Sequence, residues 1–307
     1  MDSVRALSLA RRVGYRLLPG EAFSYVLHLR PREWPIMAAH TTVGFVLAVG
    51  ASAALHGVQL PALAVALIVW VVFLNGGTLA LNSAYDRDAG DIGYLDAPPP
   101  PPEHLALWGA GLMAVGQGLA LFLPREFVLA YAACLVMSLL YSVPPARLKA
   151  VAGADWVINL LGFGALTPYA GWAATGRPLT PVAGWTLAAF APLFAALYPL
   201  TQLYQFAEDA GRGDRTLALQ LGMRGSLDVA LGAAAIAFGC FVRAAMLART
   251  TRWGWVALGA AAAAWLAVLL PWRVRYAGMH PPEHKRGMYV ALAAWALTDL
   301  AILVAFA

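Results

Sequence analysis

The sequence predicts an all-α polytopic membrane protein, and three observations carry that expectation. Hydrophobic residues make up 61% of the chain and charged residues only 12%, about half the charge of an ordinary soluble domain. Apolar runs of roughly twenty residues recur from one end to the other, the length that crosses a bilayer core as a helix. The runs are continuous, whereas a transmembrane barrel would show short alternating segments.

Nine spans follow, over 36–56, 62–85, 104–123, 127–143, 153–174, 183–207, 226–247, 254–271 and 287–306. They form one domain, 1–307, in which 1–35 is an interfacial N-terminal segment. Arg5, Arg11, Arg12 and Arg16 lie there with no apolar core followed by a cleavage site, which reads as an amphipathic surface segment and not a signal peptide. Gly162, Gly164 and Pro168 predict a kink in the fifth span.

An odd number of spans puts the termini on opposite sides. With the N-terminus in the cytoplasm, only Arg125, Arg177, Arg243, Arg249 and Arg252 of the 21 basic residues fall outside, as the positive-inside rule requires. The formal net charge of +5 then reports topology, and no nucleic-acid partner is expected. Cys134 and Cys240 lie in apolar runs without disulfide or metal spacing and read as core residues.

The loops after the second, fourth, sixth and eighth spans hold nearly all the polar chemistry, so one face, the cytoplasmic one, carries the expected site. Asp86, Asp88, Asp91 and Asp96 follow the second span, and Glu208, Asp209 and Asp214 follow the sixth. Arg147 and Lys149 follow the fourth, and Arg273 and Arg275 the eighth. An acidic loop and then a basic loop, repeated four helices later, suggests two related halves.

Asn75, Thr78, Asn82 and Asp86 recur at three- and four-residue intervals and form one polar stripe on an apolar helix. Such a stripe is costly against lipid, so it is expected to face the bundle interior or a water-filled cavity. Gln202, Gln205 and Asp209 repeat the pattern, with Glu208 alongside, and Asp155 and Asn159 lie four apart at the start of the fifth span. Carboxylates are hard oxygen donors, which suit Mg²⁺ shared with substrate phosphates. A cluster of carboxylates alone would repel such an anion. With Mg²⁺ it becomes a diphosphate site, and Arg147, Lys149 and Arg215 can meet the remaining phosphate oxygens. Asp88, Asp91 and Asp214 are further metal-ligand candidates. His280 and His284 are read as interfacial loop residues, because Pro281 and Pro282 argue against a helix there.

Four segments together resemble the UbiA superfamily of intramembrane prenyltransferases. Arg30-Pro-Arg-Glu-Trp34 is similar to the family's segment before its first helix, and Asn82-x-x-x-Asp86 to the start of its first aspartate motif. Tyr141-Ser-Val-Pro-Pro-Ala-Arg-Leu-Lys149 resembles its tyrosine-to-lysine loop. Asp209-Ala-Gly-Arg-Gly-Asp-Arg-Thr-Leu217 resembles its second aspartate motif. The chain departs from the pattern at Gly90 and Gln205, where the family usually has Asp, and in the five prolines from Pro98 to Pro102.

The resemblance implies a UbiA-like bundle of nine helices with a cytoplasm-facing cavity. It also implies Mg²⁺-dependent transfer of an isoprenyl group from a prenyl diphosphate to a lipophilic acceptor within the membrane. Asp86 and Asp209 would hold the metal with neighbouring acids, Asn82 would support them, and Arg147 and Lys149 would neutralise charge. Ring faces, with Tyr141 and Tyr204 nearest the charged motifs, would stabilise the allylic cation. The same cation could instead close on itself, as in a membrane terpene cyclase that needs no acceptor.

Overall fold

The computed structural model describes residues 9–56, 60–86, 92–93, 95, 97–211 and 216–307, without the side chains of 55–56 and 207–209. Among these residues the architecture is all-helical. The one extended feature is an isolated antiparallel bridge between Ile92 and Leu95.

Two short helices, α1 (Leu9–Leu17) and α2 (Ala22–His28), precede α3 (Trp34–Val49) and α4 (Ala51–His56). Gly50, at φ 86°, separates α3 from α4. Thus the first apolar run is broken where only glycine adopts the backbone cheaply. Then come α5 (Leu60–Asp86), α6 (Leu105–Ala120) and α7 (Arg125–Ser142). α8 covers 154–173, α9 is Pro181–Gln202, and α10 is the single turn Phe206–Gly211. α11 (Leu217–Ala248), α12 (Arg252–Arg275) and α13 (Pro281–Phe306) complete the chain. Six of these helices are long and apolar enough to cross a membrane: α5, α7, α9, α11, α12 and α13. α3 and α6 are apolar but only 16 residues long.

Two helices loosen into π geometry: Ile68–Gly76 within α5 and Leu160–Leu166 within α8. In α8 the cause is local. Pro168 has no N–H to give to the preceding turn, and the Thr167 hydroxyl donates to the Gly162 carbonyl at 2.9 Å instead. The kink expected from Gly162, Gly164 and Pro168 therefore takes the form of a π segment. α11 is interrupted at Gly222, which sits at φ 69°.

At the start of α13 the expectation fails. Pro281 and Pro282 open a helix, because the first helical N–H groups have no intrahelical acceptor to lose. His280 caps it, and its N–H donates to Glu283 Oε2 at 2.7 Å. His284 is buried within the helix and accepts from Trp272 Nε1 at 2.9 Å.

The core has two main parts. One is built from α5, α6, α7 and the end of α8, around Trp70, Phe127 and Tyr131. The other is built from α9, α11, α12 and α13, around Phe190, Phe241 and Trp265. α3 and α8 pack closely between them. A Cβ at Gly44 would overlap the Pro168 carbonyl, and one at Gly171 would overlap that of Thr41, so these two glycines let the helix backbones touch.

Candidate active site

Between the two parts of the core lies a cavity of about 400 Å³, walled by α3, α5, α7, α8, α9 and α13. Its polar end gathers Arg30, Glu33, Asn82, Asp86, Lys149, Gln202, Gln205, Thr216 and Lys285. All but Lys149, which comes from the loop after α7, sit where α5 and α9 end and where α3, α11 and α13 begin, so the antiparallel packing brings polar helix ends to one mouth. The other walls are apolar and aromatic, including Trp70, Leu74, Met137, Phe163, Phe194, Leu292 and Trp295.

The stripe on α5 faces this cavity, since Asn75, Thr78, Asn82 and Asp86 all line it. Lys149 is brought to the stripe by the loop after α7. Its Nζ donates to Asn82 Oδ1 at 3.1 Å and pairs with Asp86. The Ser142 hydroxyl donates to the same Asn82 oxygen at 3.3 Å. Arg147 approaches Asp86 at 3.8 Å. Arg147 and Arg30 both hold left-handed backbone, at φ 34° and φ 51°, a conformation that costs a non-glycine residue energy and gathers at functional sites. Burial pushes the Glu33 carboxyl above the usual carboxylate range, while Arg30 pulls it the other way.

Tyr141 lines the cavity, and its hydroxyl lies 3.1 Å from that of Tyr198, which accepts from Gln202 Nε2 at 3.2 Å. Tyr204 also lines it, with the Lys285 ammonium 5.9 Å from its ring centre. Asn159 and Gln205 belong to the lining as well. Asp155 is fully buried and has a different set of partners. One carboxylate oxygen accepts from Gly153 N at 2.9 Å and the other from Leu217 N at 3.2 Å. It thereby ties the start of α8 to the start of α11, where the second acidic segment ends. Asp88, Asp91, Asp214 and Arg215 lie outside the described residues, as do the side chains of Glu208 and Asp209.

The mouth is bordered by the segment that follows the first acids. Ile92 and Gly93 line the cavity, and Ile92 and Leu95 are buried. Arg11 donates to the Ala97 carbonyl at 2.9 Å, and His28 Nε2 lies 3.2 Å from the Pro99 carbonyl. The two N-terminal helices therefore hold the proline run in place. Burial lowers the His28 imidazole below its ordinary value.

Several lining residues fall outside the sequence-based site: Arg30, Glu33, His40, Trp70, Phe163, Phe194, Lys285 and Trp295. His40 is the most informative. It lies inside α3, and its Nδ1 is 3.1 Å from Asp299 Oδ1 on α13. The available signal was an ionisable residue in the middle of each of two apolar runs.

An all-helical bundle with six helices long and apolar enough to cross a membrane, around a cavity charged at one end and largely apolar along the rest, defines an integral membrane protein with an internal site. The model of the UbiA prenyltransferase family matches residues 42–293, and the chain belongs to that family. It is 29% identical over 222 residues to the lycopene elongase/hydratase of Haloferax volcanii, which covers 67% of each chain. The fold is similar to that of a UbiA homologue from Archaeoglobus fulgidus bound to DMAPP and Mg²⁺. The TM-score there is 0.66 at 19% identity, covering 91% of this chain and 99% of that one. A digeranylgeranylglyceryl phosphate synthase gives a TM-score of 0.68 at 12% identity, covering 92% and 97%.

Proposed function

We propose that this chain transfers a prenyl group from a prenyl diphosphate to a lipophilic acceptor inside the membrane, through an allylic cation. The observation that carries the reading is the polarity of the cavity just described. Asn82, Asp86 and Lys149 meet at its mouth, and an aromatic lining extends from them. In this reading α3, α6 and α8 join the six long helices as nine spans. The mouth faces the cytoplasm, on the strength of the distribution of basic residues.

The donors present fit a hard divalent cation. Asp86 and Asn82 place a carboxylate and an amide oxygen on one wall. Among the described residues no three His, Cys, Asp or Glu side chains gather into a metal site. A full coordination shell would therefore draw on Asp88, Asp91, Glu208, Asp209 and Asp214. Mg²⁺ held there would stabilise the departing diphosphate. Lys149, now paired with Asp86, would turn to the phosphate oxygens once the carboxylate is shared with a metal, joined by Arg147 and Arg215. The faces of Tyr141 and Tyr204 would border the cation, and the aromatic lining would exclude water from it.

An acyclic polyene of the lycopene kind is the first acceptor to test, given the similarity to the Haloferax enzyme. Purified protein in nanodiscs is incubated with dimethylallyl diphosphate, Mg²⁺ and lycopene, and the lipids are analysed by mass spectrometry. The expected result is Mg²⁺-dependent addition of a C5 unit to the acceptor. A cyclic hydrocarbon or alcohol formed from a longer prenyl diphosphate without acceptor would favour the cyclase instead. No diphosphate release under either condition would overturn both.

A further inference from the structure

A second cleft lies outside the active-site cavity, between the end of α12 and the start of α13. Its volume is about 460 Å³, and the two cavities share no lining residue. Ala267, Val268 and Val290 form its apolar end, and Arg275, Glu283 and Arg286 its polar end. Lys285, the neighbour of Arg286, lines the active-site mouth, so the polar end of the cleft lies at the level of that mouth on another face of α13.

The floor of the cleft is Trp272, which is buried and belongs to the lining. A Cβ at Gly287 would lie 2.7 Å from its ring, so the glycine lets the indole fill the space between the two helices. The cleft is therefore closed on its inner side. Its walls include the exposed Val290, so it opens outward, where a spanning helix meets lipid.

The charges at the polar end do not cancel. Arg275 and Arg286 are both exposed, and among the described residues neither pairs with a carboxylate. Arg273, two positions before Arg275, is the one that takes Asp228. Arg275 Nε donates to the Pro271 carbonyl at 3.4 Å, which leaves the outer N–H groups of its guanidinium for a ligand. Glu283 is already engaged: its Oε2 accepts from the His280 N–H at 2.7 Å, and its charge sits favourably at the N-terminus of α13. Two guanidinium groups against one carboxylate leave this end cationic.

Apolar walls with a cationic rim match one class of molecule, a lipid with an anionic head. A guanidinium meets phosphate oxygens in a two-pronged fork, and basic pockets between membrane helices recognise anionic headgroups. Free phosphate would leave the apolar walls unused, and a neutral lipid would leave the arginines unused. The volume falls in the range of small-molecule pockets, about 300–1,000 Å³.

We propose that this cleft binds one anionic glycerophospholipid, with its phosphate on Arg275 and Arg286 and an acyl chain along Ala267, Val268 and Val290. Bound there, the lipid holds α12 to the start of α13, whose neighbouring face carries Lys285 and Met288 of the active cavity. The proposal does not depend on the transfer reading.

The test places the full chain in nanodiscs of phosphatidylcholine with a minority of phosphatidylglycerol and releases it into native mass spectrometry. Wild type is expected to keep one phosphatidylglycerol after the bulk lipid is stripped, with a preference over phosphatidylcholine of about tenfold or more. Arg275→Gln and Arg286→Gln are each expected to weaken that retention about fivefold, the scale of one basic side chain at an anionic surface. Ala267→Phe fills the apolar end without changing charge and is expected to abolish it. Arg16→Gln removes an exposed charge from α1, away from the cleft, and is expected to match wild type. Equal retention of the two lipids by wild type would overturn the proposal, and this comparison decides even where a variant does not fold. A loss in Arg16→Gln equal to that in the arginine variants of the cleft would mark diffuse attraction to the surface and overturn it. So would unchanged retention in all three cleft variants. A lipid-free dimer that dissociates in Arg286→Gln would assign the cleft to a second copy of the chain and overturn it as well.

Discussion

The Lys149 ammonium donates to the Asn82 amide oxygen at 3.1 Å and pairs with the Asp86 carboxylate one turn further along α5. A cation from the loop after α7 thus occupies the face of the stripe that a diphosphate and its metal would use. Lys149 is 9% exposed, so this contact is little screened by solvent. Lys149→Met is expected to raise KM for a prenyl diphosphate by about ten- to a hundredfold, the scale of one charged hydrogen bond at about 1.5–3 kcal/mol. Lys149→Arg should recover part of that loss. Steady-state diphosphate release measures both, and an unchanged KM in Lys149→Met would remove the lysine from the site.

Asp86→Asn keeps an acceptor for Lys149 while removing the charge a divalent cation needs. Diphosphate release is expected to fall by about two orders of magnitude, as when a transition-state charge loses its stabiliser. The Mg²⁺ concentration for half-maximal rate should rise. Asn82→Ala should show the same direction with a smaller effect. A Mg²⁺ titration at saturating prenyl diphosphate separates the two contributions.

Gly44 and Gly171 are the points where α3 and α8 meet backbone to backbone. Gly44→Val and Gly171→Val are each expected to lower thermal stability in detergent, because overpacking a tight contact costs about 1–3 kcal/mol. Gly232→Ala on α11 faces open space and serves as the control, with a melting temperature expected to match wild type. Equal melting for all three would contradict the close approach.

The N-terminal clamp should respond to pH through His28. Burial lowers its folded-state value below the ordinary 6.5, so the unfolded chain binds the proton more readily. Stability is then full above about 6.5 and declines as pH falls towards the folded value. Glu33 has the opposite sign: its raised value makes its contribution full below the ordinary carboxylate value and lost as pH rises through the folded one. Melting curves between pH 5 and pH 8 should slope downward towards acid in wild type and less so in His28→Gln. An identical slope in both would rule out His28 as the group responsible.

Much of the fold is legible in residue order because lipid imposes it: an apolar run long enough to span has few alternatives to a helix. The stripe from Asn75 to Asp86 was legible for the same reason, since four polar groups on one face need a polar cavity. What the sequence concealed depends on partners distant in the chain. His40 and Asp299 are 259 residues apart, and neither belongs to a local pattern, so only packing reveals the pair. Asp155 has a spacing that suits a cavity, yet its oxygens cap backbone N–H groups at Gly153 and Leu217. Pro281 and Pro282 illustrate a rule applied at the wrong position: proline breaks the middle of a helix and is compatible with its first turn.

The π segments of α5 and α8 have a consequence for how this pocket can change. Each is held by i→i+5 bonding, equivalent to one residue added to a regular helix. Removing one residue from Ile68–Gly76 would let that stretch rewind to a regular helix with the turns on either side still in register. Trp70 lies inside the stretch, so the part of the wall it forms would be rebuilt while the stripe at Asn82 and Asp86 kept its place. The shape of the apolar lining is therefore a matter of counting as well as of side-chain identity. Insertions and deletions of single residues in these two helices form a route to new chain-length or acceptor preference that substitution libraries never sample.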